Sequence, residues 1–321
     1  MGDLTRPESA AAVLEGVGRV YFAMSKRMTG ADRVGASTWS GEELGAFLRA
    51  RRAAMTPERA GIRTYGSPRR VAGLRREEVA ELAGLSTNYY ARIEQGKDHR
   101  MSDAVIESIA RALQLDRAER IYLLRLARPR PIELPNSESE AVRPSILALI
   151  QSMTDRAAFL LNHRMDLLGF NSLGAALHGL RPGQRPNAAR MLFLNPATRN
   201  LLPDWDADAR KMTSEIRMTS SKYPDDSSLT EVIKELHITS ADFRRMWDQH
   251  EVSEFGPAIR QYDHPLVGHM VLSEESLFLP DGTGRRLVLS SAEPGSRSRN
   301  RLEELTALAA RAKRWRTGGA A

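Results

Sequence analysis

A chain of 321 residues has room for about two domains, and 41% hydrophobic with 27% charged residues is an ordinary globular composition. The absence of cysteine excludes disulfides, thiolate zinc sites, iron–sulfur clusters and a cysteine nucleophile, and suits a reducing cytoplasm. No apolar run reaches the roughly 20 residues of a membrane helix. Ala10 to Met24 is interrupted by Glu15 and Arg19 and lacks a signal-peptide layout, so a cytoplasmic protein without a membrane partner is expected.

The first 40 residues read as an extension, with Ala10 to Ala23 open to being either an upstream addition or a partner helix. From Glu42 to Arg52, Leu44, Phe47 and Leu48 share one side of a helix. The net charge of +7 is concentrated immediately after: between Arg49 and Arg76 stand nine arginines against one acid, Glu58. Such a cluster is the footprint of a polyanion partner, with a solvated face or a membrane-surface patch as the alternative. Arg75 to Ala83 follows as a second helix with Val79, Leu82 and Ala83 inward, closed by Gly84. Ser86 is placed to cap a third helix, in which Leu85, Tyr90 and Ile93 turn inward while Asn88, Ala91, Arg92 and Gln95 line the opposite face. Two helices joined by a short turn of this kind form a helix-turn-helix, whose second member suits a major groove. Ser102 caps a further helix with Val105, Ile106, Ile109 and Leu113 inward. Asp116 with Glu119 has the spacing of a capping box for a fifth, carrying Ile121, Leu124 and Leu126.

The stretch AGLSTNYYARIEQGK, preceded by GLRREEVAEL and followed by MSDAVIESIARALQL, resembles the helix-turn-helix of the XRE (Cro/C1-type) transcription regulators. The Arg-rich connection before it is similar to the actinobacterial branch that carries an MmyB-like ligand-binding domain. The resemblance implies an all-α DNA-binding domain over 41–128, with double-stranded operator DNA and a homodimer as partners. It places Thr87, Asn88 and Arg92 at base edges, and Arg75 and Arg76 at phosphates. Both arginines depart from the family, which often has a small polar cap and then Gln there. Chemistry supports these roles: Arg92 offers guanine a bidentate fork, Asn88 suits adenine, and Thr87 suits a phosphate or a thymine methyl. Tyr89 and Lys97 are candidates for the DNA backbone, and Arg69 and Arg70 for phosphate or the minor groove.

Residues 129–142 (PRPIELPNSESEAV) are rich in proline and polar residues and read as a linker. Beyond them, Ala158 to Leu161, Met165 to Phe170, Val267 to Leu272, Glu275 to Leu279 and Leu287 to Ser291 read as strands, the last two joined across PDGTG. Helices are expected at Ser172 to Gly179, Asp206 to Ser220, Leu229 to Leu236 and Ala241 to Gln249. This is an α+β domain with an antiparallel sheet of about five strands. The segments MDLLGFNSLGAAL, MLFLNPATRNLLPDW, FRRMWDQHEV, HPLVGHMVL and LVLSSAEPGS resemble the MmyB ligand-binding domain, a PAS-like fold, over 143–296. Phe170 stands where that family usually has Trp, and Asn195 where it has Asp.

That resemblance implies a fatty-acid-like ligand and no other cofactor. Helices over a curved sheet favour an apolar cleft, with Leu160, Met165, Leu167, Phe170, Leu173, Phe193, Met212, Phe243, Trp247 and Leu289 as walls and Arg260 or His264 meeting a carboxylate. Plain core packing is the competing reading of each wall residue. The chain holds no Walker loop, HExxH, GxSxG or strand-borne GxGxxG, so no catalytic residue is assigned and no enzyme is expected. Asp263, His264 and His269 match no strong metal spacing. A second domain serving dimerisation alone is the remaining alternative. Residues 297–321 read as a basic tail, either solvated or an auxiliary nucleic-acid contact.

Overall fold

The computed structural model describes residues 36–62, 71–97, 101–129, 141–181 and 183–318, with side chains described from residue 41 to residue 311 at the two ends. Arg69, Arg70, most of the linker and the N-terminal extension therefore lie outside the described residues.

The N-terminal half is a bundle of α1 (Ala36–Ala54), α2 (Arg76–Ala83), α3 (Thr87–Glu94), α4 (Asp103–Ala112) and α5 (Arg117–Ala127). Its boundaries follow local chemistry. Gly84 adopts φ 66° to end α2, and Ser86 accepts from the Tyr89 amide to begin α3. Ser102 caps α4, and Asp116 with Glu119 closes a reciprocal capping box on α5. At α2, where Arg75 occupies the cap, the Glu78 carboxylate accepts from the Arg75 amide at 2.7 Å. Leu44, Phe47, Leu48, Val79, Tyr90, Ile93, Ile109 and Leu123 are fully buried in one core. Two inward assignments are corrected. Leu82 and Leu124 are exposed, because α2 is rolled to bury the small Ala80 and Ala83, and α5 to bury Tyr122, Leu123 and Leu126.

The C-terminal half is built on a five-stranded antiparallel sheet of order β2-β1-β5-β4-β3: β1 (Ala157–Leu161), β2 (Leu167–Phe170), β3 (Ala258–His264), β4 (Gly268–Phe278) and β5 (Arg286–Ser291). The count matches the sequence reading, but the assignment differs. All of Val267 to Leu272 and Glu275 to Leu279 except the two outermost residues belongs to one eleven-residue strand, β4, and the sequence reading has no strand at Ala258–His264. Met165 is no strand residue: it sits in a turn at φ 71°.

One face of the sheet is covered by α6 (Pro144–Ser152), which packs Ile146 and Ile150 on Ala158, Leu160 and Leu287. The other face carries α7 (Ser172–His178), α8 (Ala188–Leu194), α9 (Pro196–Leu201), α10 (Trp205–Lys222), α11 (Ser227–Thr239) and α12 (Ala241–Trp247), all inserted between β2 and β3. Covered on both sides, β1 is buried along its whole length, which is why AAFLL shows no alternation. Asn195, despite replacing the family's usual Asp, still caps α9 by accepting from the Ala197 amide at 3.0 Å. Residues 297–318 form a helix, α13 (Arg297–Gly318), not a solvated tail; Leu302 and Leu305 are buried against the sheet domain.

The halves are in contact. Met218 of α10 is buried in the core of the N-terminal bundle, with Val252 packed beside it.

Candidate nucleic-acid interface and sensor core

The outer face of α3 is built by rotation about its axis. Tyr90 and Ile93 are drawn fully into the core, which turns Thr87, Asn88, Arg92 and Gln95 outward. Thr87 opens the helix, where amides point forward, and Asn88 and Arg92 stand one turn apart on the same face. Arg75 and Lys97 flank this face and are exposed, while Tyr89 is half-buried against the core. Seven of the nine DNA-contact candidates are described, and six of these surround α3 at its surface.

The seventh, Arg76, is exposed as well, with its Nε engaged by an acid. Glu94, at the end of α3, is fully buried, and its carboxylate accepts from Arg52 Nε at 2.7 Å and from Arg76 Nε. Arg49 donates to the Glu94 carbonyl at 2.8 Å, and Arg52 also holds the Leu74 carbonyl at 2.8 Å. A hydrogen bond and the charge of Glu94 raise the Arg76 pKa. Arg51 meets Glu119 at 2.6 Å. Much of the arginine excess thus tethers α1, α2 and α3 to one another. The charge count overlooked this because the neutralising acids, Glu94 and Glu119, lie beyond the counted segment.

In the sheet domain the wall candidates fall into three groups. Met165, Phe243 and Trp247 form one apolar cluster with Ile216, Leu229 and Leu236, and Phe193 and Met212 pack against it. Phe243 stacks on Trp247 at 5.4 Å and meets Phe193 edge-on at 5.1 Å. Leu167, Leu173 and Phe170 belong to a neighbouring cluster beneath α7. Leu160 and Leu289 lie on the opposite face of the sheet, against α6, because alternate residues of a strand point to opposite sides. They share no wall with the rest.

Neither expected carboxylate partner has its polar atoms at liberty. Arg260 is clamped between Asp208 at 2.7 Å and Glu274 at 3.0 Å. Although burial works against the charge, these acids hold the Arg260 pKa well above its ordinary value. His264 lies 3.3 Å from the Ala176 carbonyl and accepts from the Leu266 amide, and burial lowers its pKa. Asp263 and His269 pair at 2.7 Å on the other face of the sheet, so the three residues do not converge.

A residue that the sequence reading missed, Arg286, has the property sought. At the start of β5 it is 3% exposed, and no described carboxylate lies within salt-bridge distance. Its guanidinium rests 3.8 Å over the Phe255 ring, 2.8 Å from the Met165 sulfur and 3.5 Å from the Asn162 carbonyl, and its Nε has no hydrogen-bond partner. Burial pulls its pKa down to about 10, partly countered by the charge of Glu215. Its sequence signal was a second Arg beside Arg285 just before an apolar strand, which looks like a loop charge until the register turns it inward.

Among the described residues no helix is long and apolar enough to cross a membrane. A comparison with curated proteins finds no match. A family model described as a helix-turn-helix domain matches residues 43–123. Another, described as the MmyB-like transcription regulator ligand binding domain, matches residues 142–305, just over half of the chain. With a helix-turn-helix in front and that domain behind it, the chain belongs to the helix-turn-helix transcription regulators with an MmyB-like ligand-binding domain.

Proposed function

We propose that this DNA-binding transcription regulator acts in the cytoplasm as a homodimer, with each α3 in a major groove of operator DNA. Thr87, Asn88 and Arg92 read base edges, while Arg75, Lys97 and Tyr89 hold the backbone. Arg69 and Arg70, outside the described residues, extend the contact. The observation that carries this reading is the pairing of a buried Tyr90 with an exposed Asn88 and Arg92 on one short helix. Dimers of this motif read half-sites about 34 to 36 Å apart, or multiples of that. No catalytic role is assigned to either domain.

Regulation in this reading comes from a small apolar acid, such as a fatty acid, whose chain lies among Met165, Phe193, Met212, Phe243 and Trp247 and whose carboxylate meets Arg286. A buried guanidinium without an acid is costly, and an anionic headgroup removes that cost. A ligand shifts operator affinity by no more than its preference for one arrangement over the other. The second reading, a domain for dimerisation alone, draws on the direct contact of the three rings with one another.

Organic extraction of the purified protein with mass spectrometry, followed by titration of stripped and reloaded forms on DNA from its own promoter, separates the two. A stoichiometric acid that changes affinity supports sensing. Salt-sensitive DNA binding, with nothing extracted and no response to added C12 to C18 acids, supports dimerisation alone.

A further inference from the structure

Arg217 stands in the middle of α10 with no exposed surface, yet the carboxylate it meets is Glu43 of α1, in the other domain. One nitrogen of its fork donates to Glu43 and the other to the Trp247 carbonyl. Its guanidinium lies 4.0 Å over the Trp247 ring. Glu43 also accepts from the Tyr122 hydroxyl at 2.8 Å and lies 3.3 Å from His250 Nδ1. The chain just after α12 is turned to reach this point, with His250 at φ 52°. From the bundle side, Arg51 donates to the carbonyls of Gln249 and His250 at 3.1 and 3.4 Å. Arg125 reaches the Met218 sulfur at 3.1 Å.

Two features make this more than adhesive contact. A planar guanidinium held between a ring face and a carboxylate has essentially one geometry, and separating the pair strands a buried charge, so partial opening is disfavoured. The ring beneath Arg217 also ends the ring array of the sensor core, in which Phe193 meets Phe243 edge-on and Phe243 stacks on Trp247. A shift of that array moves the platform on which Arg217 rests.

We propose that Glu43, Arg217, Trp247 and His250 form an interdomain clasp that fixes the orientation of the DNA-binding bundle and makes it responsive to the packing of the sensor core. The clasp operates whatever displaces the rings, and it does not depend on the identity of a ligand.

A chain without cysteine allows clean spin labelling of the full-length protein. Labels at Ala104→Cys on α4 and Glu231→Cys on α11, both exposed positions, report the interdomain distance by double electron–electron resonance, with unlabelled chain added to suppress signals between copies. The parent is expected to give one narrow distance. Glu43→Gln with Arg51→Ala should broaden it several-fold, and Trp247→Leu should do so too, although Trp247 lies in the other domain. Thermal melting by circular dichroism checks that each variant folds. Should Trp247→Leu fail to fold, Phe193→Leu, which loosens the same rings from their far end, takes its place. An unchanged distance in the Glu43→Gln, Arg51→Ala chain overturns the clasp. Broadening there but not in the Trp247 or Phe193 variant overturns the link to the rings.

Discussion

At the scale of single residues, the arginines of this chain separate into three kinds by what surrounds them. Arg92 faces outward on α3, Arg52 and Arg76 serve a buried acid, and Arg286 is buried without one. Substituting each therefore has a different sign. Arg92→Ala should weaken operator binding by about 1 to 3 kcal/mol and relax preference at one base position; unchanged preference in a competition mobility-shift assay would remove it from the base-reading set. Arg286→Met should act on stability instead. An apolar side chain in place of a buried charge with no carboxylate in contact is expected to raise the melting temperature by a few degrees, about 1 kcal/mol, while lowering the amount of acid that co-purifies. A fall in melting temperature would show that the Phe255 and Met165 contacts outweigh the burial of the charge.

Elements differ in how much of them the sequence announces. The bundle was legible because its boundaries are set by neighbours in the chain: Gly84, Ser86, Ser102 and the Asp116–Glu119 pair each act within three or four residues. The sheet was harder to read, since its strands are defined by partners far away. β3, reading AIRQYDH, has no apolar alternation because it is an edge strand, with Ile259 on the uncovered face and Arg260 inward on two acids. Those acids explain the other error too: Ser273, Glu274 and Glu275 look like a break, but Arg260 satisfies Glu274 and β4 runs straight through. In the sensor core, Met165, Phe193, Phe243 and Trp247 were recognisable as apolar, whereas Arg286 needed the register of β5 to reveal it. Long-range tethering also governs α1 to α3. Glu94→Gln removes the charge that Arg52 and Arg76 share, and it should destabilise the bundle by ~2 to 3 kcal/mol; the half-exposed Arg76 keeps this below the value for a wholly buried pair. A urea titration followed by far-ultraviolet circular dichroism measures it, and a change under 0.5 kcal/mol would contradict the tether.

For the whole molecule, the coupling of its halves has a pH signature. Burial alone would raise the Glu43 pKa, but the hydrogen bond from His250, the charges of Arg217 and His250 and the Tyr122 hydroxyl prevail and lower it from 4.5 to about 2. Because the pKa is depressed in the closed state, the stabilisation is present in full above pH 4.5. It is lost progressively as the pH falls toward 2, when the carboxylate takes up a proton beside Arg217. The interdomain distance should therefore broaden on acidification within that window, before either core melts, and Glu43→Gln should abolish the transition. The contact also bears on how such regulators are cut and recombined. Met218 completes the core of a bundle to which it does not belong by sequence. A bundle excised at residue 128 carries an apolar notch in its surface, and a chimera that joins it to a foreign sensor inherits the same defect unless the new partner brings a side chain of matching shape. In this chain, the boundary at which the polypeptide is divided is not the boundary at which its interior is divided.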